Sequence, residues 1–65
     1  MNFMLEALIK KLKGEIAIAK ANILVYTRNP SGIGEHPEVV EAIESQISKI
    51  AEAQDKINTI KDLNL

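Results

Sequence analysis

The stretch FMLEALIKKLKGEIAIAKANILVYTR, residues 3–28, contains no proline. Its apolar residues recur at Leu5, Leu8, Leu12, Ile16, Ala19, Ile23 and Tyr26, steps of three and four that draw one stripe along an α-helix. The helix is expected to end before Asn29, because a residue preceding proline is pushed out of the α region. Asn29-Pro30-Ser31-Gly32 then has Asn, Pro and Gly where a type I turn prefers them. The chain reverses, and the loop covers residues 29–36.

A second helix is expected over about residues 37–62. Pro37 suits a first helical position, Glu38 favours the N-terminal dipole, and His36 stands where an N-cap belongs. Val40, Ile43, Ile47, Ile50, Gln54 and Ile57 keep the three-four rhythm, with Gln54 as the one polar interruption. Two helices of similar length, on a connection slightly longer than is usual for neighbours in a bundle, favour an antiparallel hairpin. Residues whose numbers sum to about 65 are then level, so that Ile23 meets Ile43, Ile16 meets Ile50 and Leu8 meets Ile57. Gln54 in that seam can fix register or oligomer state, as buried polar residues do in coiled coils, or it can fill a solvent-facing gap.

Charge agrees with the pairing. Five cations (Lys10, Lys11, Lys13, Lys20, Arg28) against Glu6 and Glu15 make residues 1–28 basic, whereas residues 29–65 set seven acids against Lys49, Lys56 and Lys61. The run Lys10, Lys11, Lys13 is expected to face Glu52 and Asp55 across the hairpin, with contact to phosphate or an anionic membrane surface as the alternative. Each exposed pair is worth at most about 1 kcal/mol, so the asymmetry selects orientation more than it stabilises.

One hairpin does not account for all the apolar surface. Opposite the core stripe, Met4, Ala7, Lys11, Gly14, Ile18, Ala21 and Val25 form a second line, with the small residues Ala7, Gly14 and Ala21 seven apart. Small residues at that repeat let another helix approach closely. Gly14 costs roughly 1 kcal/mol relative to alanine in a helix interior, so something should compensate for it, unless the glycine is simply tolerated. Sixty-five residues bury only about 60% of their unfolded surface, and a core that small usually needs a disulfide, a metal or oligomerisation. There is no cysteine, and the single histidine, His36, makes no metal site alone. The expected fold is therefore all-α, an antiparallel two-helix hairpin assembled as a homodimeric four-helix bundle or higher homo-oligomer. Ala7, Gly14, Ile18, Ala21 and Val25 are its self-association face, and Asn22, beside that line, can hydrogen-bond across the interface.

The loop NPSGIGEHPE, residues 29–38, is the one segment that helix packing does not explain. Asn29, Pro30, Gly32, Ile33, Gly34, Glu35, His36 and Pro37 match the form NPxGIGEHP, with Ser31 at the variable place. In this the chain resembles small uncharacterised proteins of tailed bacteriophages, marine ones especially, over roughly two-thirds of its length, from about AKANILVY to about IAEAQDK. The resemblance implies a phage origin and a helical hairpin, and it brings no activity with it. From the residues themselves, the loop reads as a closure device in which Ile33 plugs the open end of the core. The other reading makes Gly32, Gly34 and His36 a cradle for a small anion or nucleotide at the start of helix 2. Against it stand Glu35 and Glu38, which would repel phosphate, and the incompleteness of a GxG motif.

Catalytic chemistry finds few materials. One histidine is all that could activate Ser31, Ser45, Ser48, Thr27 or Thr59, and the acids of helix 2 read as a solvated face. No catalytic residue, cofactor site or metal site is assigned, and an enzyme is not expected. Net charge −1 and two aromatics, Phe3 and Tyr26, point away from nucleic acid. The longest apolar stretch, residues 16–26, is interrupted by Lys20 and Asn22 and falls short of the roughly 20 residues of a bilayer span. With lysines following the apolar N-terminal residues rather than preceding them, no secretory signal is read, and the expected location is intracellular, in host cytoplasm if the chain is phage-encoded. The expected partners are the chain itself and a host or viral protein. The expected function is that of a self-associating interaction or structural module, with a small-anion or nucleotide binder built on the loop as the alternative.

Overall fold

The computed structural model describes residues 2–28 and 38–65, and these form two α-helices and no strand. α1 runs Phe3–Arg28 and α2 runs Val39–Leu63. They pack against each other as a hairpin 47 Å long and 15 × 13 Å in section.

α1 starts at a cap that the periodicity did not single out. The Asn2 side-chain Oδ1 accepts the Leu5 backbone N–H at 2.9 Å, satisfying one of the four donors that a helix start leaves open. α2 begins at Val39, two residues later than expected. Glu38 precedes it and makes no side-chain cap; its carbonyl accepts the Ala42 N–H at 3.0 Å. The N-cap assigned to His36, like the whole turn reading of residues 29–37, lies outside the described residues. α2 closes at Asn64, whose left-handed φ of 55° lets its N–H reach the Lys61 carbonyl at 3.2 Å.

The seam follows a heptad rhythm of alternating four and three. On α1 it consists of Leu5, Ile9, Leu12, Ile16, Ala19, Ile23 and Tyr26, all buried or half-buried. Ile9 takes the place expected for Leu8, which sits at the rim. On α2 the seam is Val39, Ile43, Gln46, Ile50, Ala53, Ile57 and Ile60. Ile43, Ile50 and Ile57 were expected there, but the alternate positions are shifted by one residue. Val40 is 79% exposed, Ile47 is 54% exposed, and Gln54 is exposed, bonding along its own helix to Asn58 at 3.1 Å. A shift of one residue turns a helix by about 100°. The seam therefore holds Gln46 and Ala53 rather than Ile47 and Gln54.

The tightest packing is at the end away from the loop. Leu12, Ala53, Ile57 and Ile60 form the enclosed cluster, with Leu5, Ile9 and Ile16 against it. Ala53 supplies little volume, and the facing leucine and isoleucines fill the space that it leaves. Leu12 is the largest side chain that is wholly enclosed. Leu12→Ala should cost about 2–5 kcal/mol, enough to unfold most of so small a chain; circular dichroism during urea denaturation reads it. Loss of the cap in Asn2→Ala should cost about 1 kcal/mol in the same measurement.

Candidate functional site

Two helices enclose one line of side chains, so among the described residues every candidate site lies on the outer side of a helix or in one of the two grooves flanking the seam. The grooves differ in chemistry, and so do the outer sides.

The first groove, about 360 Å³, is lined by Glu15, Ile18, Ala19, Asn22, Gln46 and Lys49. At its floor the Asn22 Nδ2 donates to Gln46 Oε1 at 3.1 Å across the two helices. Gln46 is 8% exposed, and no buried side-chain nitrogen or oxygen among the described residues lacks a hydrogen-bond partner. Asn22 thus bonds within the hairpin, where a bond across a subunit interface was expected. Gln54 is exposed, the solvent-facing one of its two expected readings, and the buried amide between the helices is Gln46. Asn22 and Gln46 have numbers summing to 68, close to the sum of about 65 expected for level residues.

The second groove, about 400 Å³, is lined by Lys13, Ile16, Ala17, Lys20, Gln54, Ile57 and Lys61. It has three cations and no carboxylate. The cross-hairpin pairing of Lys10, Lys11 and Lys13 with Glu52 and Asp55 does not form. The ion pairs among the described residues run along single helices, Lys11 to Glu15 at 3.5 Å and Glu52 to Lys56 at 3.3 Å. Asp55 lies on the outer side of α2 and Glu52 pairs with Lys56 four residues on, so neither acid meets the lysines of α1.

The outer side of α1 carries the expected self-association face. Met4, Ala7, Gly14, Ile18, Ala21 and Val25 are all exposed, Ile18 at 64%. A β-carbon built on Gly14 would meet nothing within 4 Å, so no contact inside the hairpin requires a glycine there. The outer side of α2 is of opposite character. Glu41, Asp55 and Asp62 lie directly away from the seam, with Glu44 and Glu52 beside them, and all are exposed.

The loop residues Gly32, Gly34 and His36 are outside the described residues. Of the hydroxyls considered as nucleophiles, Thr27 donates to the Ile23 and Leu24 carbonyls at 2.9 and 3.1 Å, and Thr59 to the Asp55 carbonyl at 2.8 Å. Both are tied to their own helix backbone. No group of three metal-binding side chains occurs among the described residues, and no helix of the described chain is long and apolar enough to cross a membrane. Compared with protein-family models, with curated proteins and with solved structures, the chain gives no match.

The Asn22–Gln46 bond has a measurable coupling. In a double-mutant cycle with Asn22→Ala and Gln46→Ala, the interaction energy should be about 0.5–1.5 kcal/mol. Replacing both residues by leucine should raise the melting temperature while loosening the register, seen as extra amide signals in an NMR spectrum.

Proposed function

We propose that the chain is a self-associating helical module: two copies pair through the outer side of α1 into a homodimeric four-helix bundle, whose remaining surface docks a host or viral protein. The observation that carries this reading is the row Met4, Ala7, Gly14, Ile18, Ala21 and Val25, exposed along the whole of α1 with open space in front of Gly14. Large residues at 4, 18 and 25 alternate with small ones at 7, 14 and 21, the pattern that lets side chains of one helix settle over the backbone of another. Lys11 lies in the same row. Its stem can stay on apolar surface while its ammonium pairs with Glu15 at the side.

The area supports the same reading. A compact monomer of 7.2 kDa exposes about 4,100 Å². This chain exposes 4947 Å². A rod 47 Å long and 15 × 13 Å in section exposes more than a compact shape does, and pairing along its length would bury part of that surface. Pairing through α1 leaves the acidic outer side of α2 facing outward, where it is available to a basic partner. The NPxGIGEHP resemblance to small phage proteins is consistent with a host or viral partner and names none.

The deciding measurement is solution mass by light scattering. The expected value is about twice the chain's 7.2 kDa. Because Gly14 has room in front of it within the hairpin, Gly14→Leu should keep the helicity yet return the mass of one chain. Gly14→Ala adds only a methyl group and improves helix propensity by roughly 1 kcal/mol, so a monomeric protein would gain that stability in full. A wild-type mass of one chain refutes the pairing.

A further inference from the structure

The groove lined by Lys13, Lys20 and Lys61 is separate from the α1 row and stands on its own observations. The three ammonium groups come from both helices, and no carboxylate lines the groove with them. Lys11 and Lys56, by contrast, pair with an acid four residues away. Sequence denies that neutralisation here: the positions three and four away from Lys13, Lys20 and Lys61 hold no acid at all. None of the three joins an ion pair among the described residues. Across the groove the lysines of α1 meet Gln54 and a further lysine, so the α2 wall brings no neutralising charge. The acids of α2 are placed instead on its outer side, at Glu41, Asp55 and Asp62. A chain of net charge −1 thus gathers three unneutralised cations around one groove.

We propose that this groove binds an anionic ligand carrying two linked phosphate groups on an organic body. Lys13 and Lys20 are two helical turns apart, about 10 Å along the axis, a separation that one phosphate does not span but that two linked phosphates approach when flexible lysine stems lean inward. Lysine recognises phosphate as a point charge and needs no fixed fork geometry. Ala17 and the half-buried Ile16 in the lining provide apolar contact for the carbon part, along an open groove of about 400 Å³. The ligand's source is either a soluble diphosphate or a lipid headgroup with two phosphates.

The test is calorimetric titration of the full chain with inorganic pyrophosphate, alongside sedimentation with phosphatidylcholine vesicles that contain or lack cardiolipin. Lys13→Gln/Lys20→Gln should weaken binding by at least about tenfold, and Lys61→Gln, on the opposite helix, should weaken it in the same direction. Lys49→Gln/Lys56→Gln removes the same charge from the other flank and should change affinity by less than about twofold. Glutamine has nearly the helix propensity of lysine, so circular dichroism should show unchanged helicity in every variant. Pyrophosphate binding without vesicle capture assigns a soluble ligand, and cardiolipin-dependent capture lost in the Lys13→Gln/Lys20→Gln variant assigns a headgroup. Equal losses in the two double variants overturn the proposal, as does the absence of binding to either probe at about 10 mM phosphate, a concentration well above the range in which a specific site saturates.

Discussion

A domain only two helices thick has a single line along which side chains can be enclosed, and the way that line is filled governs everything else in this protein. At the end away from the loop it is filled by Leu12, Ile57 and Ile60 around the small Ala53. Nearer the loop it passes through Asn22 and Gln46, two amides joined across the helices. Apolar packing tolerates sliding, because one isoleucine layer resembles the next. A buried amide does not, since a shift by a turn would leave Gln46 without its partner at a cost of about 1–3 kcal/mol. The hydrophobic cluster holds the helices together, and the amide pair specifies how far along each other they lie.

With the register set, the remaining side chains are distributed to four surfaces of distinct chemistry. Apolar residues with small ones between them cover the back of α1, and acids cover the back of α2. One groove is lined by both Glu15 and Lys49, and the other by three lysines with no carboxylate in its lining. A net charge of −1 conceals this segregation. Charge sorted in this way contributes little to stability, where exposed pairs are weak. Its physical effect is on association, where complementary potentials steer one surface to one kind of partner and disfavour the rest.

Much of this was legible beforehand, and the errors have a common cause. The α1 stripe was read correctly at Leu5, Leu12, Ile16, Ala19, Ile23 and Tyr26 because nearly every apolar residue there is large and the polar ones lie elsewhere. On α2 Ile47 is more hydrophobic than Gln46 yet sits one position beyond the true seam, and extending its three-four spacing in both directions takes in Val40 and Gln54 in place of Val39 and Ala53. Gln46 is buried because Asn22 is opposite, and Ala53 because Leu12 and its neighbours fill the space beside it. Neither reason is present in α2 alone. The expected cross-hairpin ion pairs failed similarly, because charge totals for two helices do not say which acid is nearest to a given lysine.

The amino-acid order by itself determined that this chain makes two helices and that the outer side of α1 is apolar. Those are local properties, decided by proline placement and by a periodicity that one helix displays on its own. Only the tertiary structure decided which α2 residues enter the seam, which amide sets the register, and that Lys13, Lys20 and Lys61 line one groove. The physical reason is that burial, polar satisfaction and the meeting of like charges belong to pairs of surfaces, and a pair exists only once the two helices are docked.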